Sequence, residues 1–282
     1  MQITPLSGLD FAAEVTGLPA GAEVDGAGAD RLREALLRHA VLCLRTDGLT
    51  PQQYLRLARI FGTPKMQLLR DIRREDEPLI SMIVNGKTDD NGGKRIYSGS
   101  HWHTDDSYLE VPCALTMLHA EVIPTSGGDT LFANMTRARR ELPAELDGAV
   151  AGREAQHRYR SRRNVAHVQQ RSAEEEMESP PARHPLIRVH PETGNEAVYL
   201  NPNRIERIED MPLDVGDALL DRLLDHCTQD HLVYRHKWRV GDVVVWDNRC
   251  TMHKASTDYG DAARRMARIL IEGTRPVGPG PR

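Results

Sequence analysis

A chain of 282 residues with 37 basic against 41 acidic side chains, a formal net charge of −4, is long enough to bury a sizeable core, and its charge gives no global attraction for nucleic acid or an anionic membrane. It reads as one domain over residues 1–282, which leaves small-molecule chemistry as the default function class. Cys43, Cys113, Cys227 and Cys250 form no C-x-x-C pair, the start Met1-Gln2-Ile3-Thr4-Pro5 lacks a basic, apolar leader, and no apolar run approaches the roughly 18 residues of a membrane span, so the expectation is a soluble cytoplasmic protein.

Taken in order, Leu32, Ala35 and Leu36 recur at helical spacing between Asp30 and His39, with Asp30 placed to cap the first turn. The apolar run Val41–Leu44 reads as a buried strand. Thr50-Pro51 then gives an N-cap and a proline at the first helical position, predicting a second helix that ends at Gly62 and turns Leu55, Ala58 and Phe61 to the core. Leu79–Val84 favours a strand, and Asn85–Gly93, rich in Asn, Asp and Gly, reads as a loop. Residues 100–108 read as strand. Ala114–Ala120 is another, closed by the turn Pro124–Asp129, and Thr130–Ala133 continues as strand before a short helix near Thr136.

The composition changes over 156–185, where Arg158, Arg160, Arg162 and Arg163 precede Glu174-Glu175-Glu176 and Pro180-Pro181. Such a stretch buries little apolar surface and reads as a mobile loop or as an active-site lid. Leucines 219, 220, 223 and 224 mark a later helix, and Val243–Trp246 a buried strand. Many short strands with Gly/Pro turns and a few helices predict an α+β, mainly β fold, a double-stranded β-helix (jelly-roll) core with flanking helices. No internal repeat and no nucleotide-binding glycine motif competes with it.

The chemistry centres on Ser100–Tyr108. On a strand, His103 and Asp105 emerge on one face, and a neutral imidazole beside a carboxylate suits a divalent first-row metal. His101 shares that face, and Asp106 is an alternative carboxylate. Alone, an H-x-D triplet is weak. A third ligand strengthens it: the buried strand ending at Trp246 runs into a polar segment that ends in His253. Two histidines and one carboxylate make the facial triad of non-haem iron oxygenases.

With these residues in place, the sequence resembles the TauD/TfdA family of Fe(II)- and 2-oxoglutarate-dependent dioxygenases. Trp102-His103-Thr104-Asp105 with Ser107 is similar to its H-x-D segment, Gly127–Leu131 to its G-G-D-T segment, Trp246–Arg249 with His253 to its distal-histidine segment, and Arg264–Arg268 to its closing arginine strand. The resemblance selects His103, Asp105 and His253 as iron ligands and implies that Thr130 and Arg264 hold the distal carboxylate of 2-oxoglutarate. A guanidinium suits that task because it gives a carboxylate two parallel charge-assisted bonds. Arg268, on the same strand face as Arg264, matches a position that approaches an anionic substrate or supports the 2-oxoglutarate site. Gln67 falls near a substrate-contacting histidine of the taurine enzymes, which argues against taurine, and Asn85 and Tyr97 are candidate pocket residues. Asp105 argues against halogenation, since related halogenases carry a small residue there.

The reaction this implies consumes dioxygen and 2-oxoglutarate, releases succinate and carbon dioxide, and hydroxylates a C–H bond of a small anionic substrate. A zinc-dependent hydrolase using the same three ligands and a non-catalytic metabolite-binding jelly roll are the competing readings. By family analogy the protein is expected to form a dimer or tetramer.

Overall fold

A computed structural model describes residues 1–6, 11–85, 87–88, 95–96, 99–164 and 171–280, with backbone only at 85, 87–88 and 95–96. Its centre is an eight-stranded sheet. Along its path run Gln2–Pro5, Ala13–Thr16, Val41–Leu44, Val243–Asp247, Leu115–Val122, Arg264–Ile271 and Pro64–Lys65, with Ser81–Asn85 also paired to Arg264–Ile271. Val243–Asp247 is buried at every position because it is covered on both faces. Val243 and Val245 face one way, into a core shared with the two N-terminal helices, whereas Val244 and Trp246 face a second, aromatic core.

That second core holds Phe132, Tyr234, Trp238, Trp246 and Met266, and it lies between the large sheet and a three-stranded sheet ordered Val233–His236, Thr130–Asn134, Thr251–Ala255. A third core joins this small sheet to the helices Met135–Arg140, Ala144–Val150 and Leu213–Cys227. The predicted leucines do their work here: Leu219, Leu220 and Leu223 are buried and Leu224 packs against the cluster. The small sheet is therefore sandwiched, and its edge strand Thr251–Ala255 carries His253 at its middle.

The second helix, Pro51–Phe61, begins as its sequence dictates. Thr50 Oγ1 accepts from Gln53 N at 3.3 Å, and Gln53 Oε1 accepts from Thr50 N at 2.8 Å, a closed capping box with Pro51 at N1. The first helix differs from expectation. It starts at Gly26, capped by Asp25, which accepts from Gly28 N at 2.7 Å, while Asp30 sits inside the helix and pairs with Arg33. Two glycines had hidden the first turn, since they carry no apolar signal.

Residues 100–108 are not a strand. His103 makes a single antiparallel bridge to His253, donating N–H at 3.0 Å and accepting at 2.8 Å, and the chain then turns, with Asp106 at φ 55°. The stretch after Asn85 contains the paired segments Lys87–Thr88 and Arg95–Ile96. The span 156–185 also carries more structure than its composition suggests. Glu154–His157 pairs with Ala182–Pro185, and Ala173–Met177 forms a helix closed by a Ser172/Glu175 capping box.

Candidate active site

His103 is aimed by its bridge to His253 and by its Nδ1–H, which donates to the His101 carbonyl at 2.7 Å. Nε2 is thereby left as a lone pair pointing inward. Asp105 follows across the turn, and its oxygens stand 3.8 Å from His103 Nε2 and 3.6 Å from His253 Nε2. Those separations are too long for hydrogen bonds. Three ligand atoms, all within 4.8 Å of one another, therefore converge without bonding to each other. Bonds of about 2 Å to a common metal would hold such atoms about 3–3.5 Å apart, so the donor set fits one small cation.

Burial pushes the protonation of both imidazoles down, for His253 to about 3, helped by the neighbouring His103. Both are neutral at pH 7, the form in which an imidazole can bind a metal. Burial works against the Asp105 carboxylate, but the facing His253 and His103, Arg268 and the Thr116 hydroxyl outweigh it and hold its pKa below the usual range. Trp246 packs against the His253 ring with centroids 4.6 Å apart.

A relay missed in the sequence supports the carboxylate. Thr116 Oγ1 donates to Asp105 Oδ2 at 2.7 Å and accepts from Asn248 Nδ2 at 2.8 Å, and Asn248 Oδ1 accepts from Trp246 Nε1 at 3.1 Å. Thr116 lies mid-strand among apolar residues, where nothing in its spacing distinguishes it from an ordinary strand-former. Thr116→Val should leave the fold intact and weaken Fe(II) binding by about 10- to 100-fold, read by metal titration; an unchanged affinity would remove the relay from the account.

A second anchoring point lies beyond the triad. Gly127 and Gly128, at φ +71° and +73°, make a turn in which a Cβ at Gly127 would meet Asp258 Oδ1 at 2.6 Å. The Gly128 carbonyl accepts from Arg264 Nε at 3.2 Å, and Thr130 Oγ1 accepts from Trp238 Nε1 at 3.0 Å, which leaves the threonine proton free to donate elsewhere. Arg264 is only 3% exposed, its burial lowers its proton affinity, and it forms no ion pair with a carboxylate among the described residues. A buried, uncompensated guanidinium is a standing cost that an incoming carboxylate would relieve. Thr130 stands two residues from Phe132, the register partner of His253, which is about 7 Å along the strand. A five-carbon diacid can bridge that distance.

Arg268 sits nearer the triad, with Nε donating to Ser81 Oγ at 3.2 Å and its charge felt by all three ligands. Gln67 is buried and turned onto its own chain, where Oε1 accepts from Leu68 N. Asn85 is the register partner of Arg264, but its side chain, like the whole of Tyr97, lies outside the described residues. His101 and Asp106 are otherwise engaged: His101 Nδ1 bonds to Ser100 Oγ, and Asp106 bonds to Lys65 and Tyr108.

Among the described residues two other clusters bring potential ligands together, and in both the carboxylate is held by an arginine, while His236 Nε2 beside Asp242 is buried without a hydrogen bond. Asp247 accepts from His190 at 3.0 Å and from Arg249 through both oxygens, and Asp242 pairs with Arg45 beside Cys43, whose thiol burial pushes far up. The arginines expected to line a lid are also accounted for. Arg162 and Arg163 pair with Asp217 and Asp221 on the helix Leu213–Cys227, and Arg158 and Arg160 are exposed.

Comparison with known proteins places the chain in a family. The sequence profile described as the taurine catabolism dioxygenase TauD, TfdA family matches residues 2–270. The chain is 32% identical over 246 residues to an alpha-ketoglutarate-dependent 2,4-dichlorophenoxyacetate dioxygenase of Burkholderia sp. (strain RASC), covering 84% of this chain and 82% of that protein. It is 30% identical over 286 residues to an alpha-ketoglutarate-dependent sulfate ester dioxygenase of Pseudomonas putida, covering 99% and 91%. A crystal structure of a taurine dioxygenase from Burkholderia xenovorans superposes with a TM-score of 0.81 at 31% identity, covering 99% of this chain and 93% of that one.

Proposed function

This chain belongs to the taurine catabolism dioxygenase TauD, TfdA family, and from that premise we propose that His103, Asp105 and His253 hold the iron of an Fe(II)- and 2-oxoglutarate-dependent oxygenase while Thr130 and Arg264 hold the far carboxylate of 2-oxoglutarate. The observation that carries the assignment is the convergence of three unbonded ligand atoms on one side of a buried arginine that forms no ion pair with an acid among the described residues. When bound, iron and 2-oxoglutarate supply the oxidising chemistry, in which dioxygen is consumed, succinate and carbon dioxide are released and a substrate C–H is hydroxylated. The protein's own residues keep the imidazoles neutral, fix the carboxylate through Thr116 and shield the site behind Trp246 and Phe132.

Arg268 is read as the inner cation of the site, close enough to the triad to meet the keto-acid end of 2-oxoglutarate. Gln67, Asn85 and Tyr97 remain candidate pocket residues. The relatives named above act on a phenoxyacetate and on a sulfate ester, which supports a small anionic substrate here. Neither zinc-dependent hydrolysis nor non-catalytic binding gains support from them. The two facing sheets are read as the halves of a jelly roll within one domain, the span 156–185, of which 165–170 lie outside the described residues, as its lid, and four free thiols as fitting a reducing compartment. No helix among the described residues is long and apolar enough to cross a membrane.

Anaerobic addition of Fe(II) and 2-oxoglutarate should produce a weak visible charge-transfer band, and in air the protein should release succinate, stimulated by the right substrate in a panel of aryloxyacetates and alkyl sulfates. A wild-type protein that binds Fe(II) but gives no band with 2-oxoglutarate would overturn the assignment.

A further inference from the structure

Beside the metal loop lies a group of side chains that neither the metal nor the 2-oxoglutarate site uses. The Tyr159 ring carries two guanidiniums, with the Arg171 carbon 3.4 Å and the Arg204 carbon 4.4 Å from its centroid. Tyr108, at the end of the metal loop, meets Tyr159 edge-on at 5.1 Å and is itself 4.7 Å from Arg171. Leu68, Leu69, Ile72 and Leu109 complete an apolar wall around the two rings.

Neither arginine forms an ion pair with a carboxylate among the described residues. Arg171 Nη1 donates to Ser179 Oγ, while its Nε and Nη2 are buried without a partner among the described residues. Arg204 Nη1 donates to the Tyr159 carbonyl, and its other nitrogens bond to nothing described. Glu175 is the acid that feels Arg171, but its carboxylate is taken up by the backbone N–H groups of Arg70 and Ser172, each at 2.9 Å. Two like charges held on one ring with no acid between them among the described residues repel, and stacking on a phenol recovers only part of that cost. Such a pair is preorganised for an anion.

The pair is also tied to the metal loop. Arg204 follows a turn in which its N–H bonds to the Asn201 carbonyl, and Asn201 Nδ2 donates to the Thr104 carbonyl at 2.7 Å and to Ser107 Oγ at 2.8 Å. Thr104 and Ser107 bracket Asp105. Burial lowers the proton affinity of Arg204, and Asp105 is among the groups that oppose the shift, which agrees with this placement.

We propose that Arg171 and Arg204, stacked on Tyr159, anchor the anionic group of the substrate, a carboxylate or sulfate on an apolar body, and so decide which C–H faces the metal. This rests on the oxygenase reading above and adds to it a specificity site distinct from Arg268. Planar guanidiniums bind a carboxylate or sulfate through parallel N–H donors, and the aromatic wall takes the apolar body.

The test is calorimetric titration of phenoxyacetate, hexyl sulfate and neutral phenoxyethanol into anaerobic protein loaded with Fe(II) and 2-oxoglutarate, using wild type, Arg171→Gln, Arg204→Gln, Arg204→Lys and Arg268→Gln. At least one anion should bind wild type tenfold or more tighter than phenoxyethanol. Arg171→Gln and Arg204→Gln should each weaken that anion by about tenfold or more, with Arg204→Lys intermediate and phenoxyethanol unaffected. Should Arg204→Gln fail to fold, Arg171→Gln carries the test. The proposal is overturned if neither anion outbinds phenoxyethanol, or if only Arg268→Gln weakens the anion. Anion binding that depends on Arg204 in a wild type without the charge-transfer band would support this site and overturn the oxygenase reading.

Discussion

Asp105→Ala is expected to lose tight Fe(II) binding, to give no charge-transfer band and to release succinate at least about a thousandfold more slowly than wild type. The reason is geometric as much as electrostatic. His103 and His253 are held by mutual backbone bonds, so they stay in place without the carboxylate, but two neutral imidazoles neither balance a divalent charge nor fix a third coordination direction. Metal-free stability should fall by about 1 kcal/mol. The groups around the carboxylate hold its pKa below the usual range, so its charge is net favourable in the fold at neutral pH, and its removal also leaves the buried Thr116 hydroxyl without its acceptor. Thermal melts separate the two effects: added Fe(II) under anaerobic conditions should raise the wild-type midpoint and leave the variant's unmoved. Equal metal-induced shifts in both proteins would remove Asp105 from the site.

The parts of this arrangement legible in the sequence are those written locally. The Thr50-Pro51 helix start, the buried Val243–Asp247 strand and the leucine face of Leu213–Cys227 depend on neighbours within one or two turns, and the structure has all three. The H-x-D spacing led to residues that converge, but for a different reason than strand parity. Asp105 reaches His103 through a turn with Asp106 in the left-handed region, a conformation open to aspartate that leaves no trace in hydrophobic periodicity. The charge-rich span 156–185 looked unable to pack because its partners are far away. Arg162 pairs with Asp217, and Arg70 reaches Glu174 and Glu178. Composition counts charges without showing which are neutralised. Arg171 and Arg204 were hidden for the complementary reason: two arginines among many stand out only once the fold shows that no acid among the described residues pairs with them.

Replacing Arg264 by methionine is the sharper test of how binding and stability divide. Removing one partner of a buried charge pair costs about 2–5 kcal/mol, so the apparent affinity for 2-oxoglutarate should fall by roughly 30-fold to several thousandfold, with Arg264→Lys intermediate because a point charge replaces a fork. The same substitution should not destabilise the protein without 2-oxoglutarate. In that state the guanidinium is buried and, among the described residues, has one hydrogen bond, to the Gly128 carbonyl, and one aromatic neighbour, Trp238 at 5.9 Å. Losing that bond costs about 1 kcal/mol, less than the several kcal/mol of an uncompensated buried cation, so the variant's midpoint should equal or exceed that of wild type. The order should reverse when 2-oxoglutarate is added: at a hundred times its dissociation constant it stabilises wild type by about 2.7 kcal/mol, and the variant by far less. A crossing of the two melting series is the signature of a residue kept for its ligand. A variant less stable in both conditions would make Arg264 a packing residue and move the 2-oxoglutarate carboxylate elsewhere.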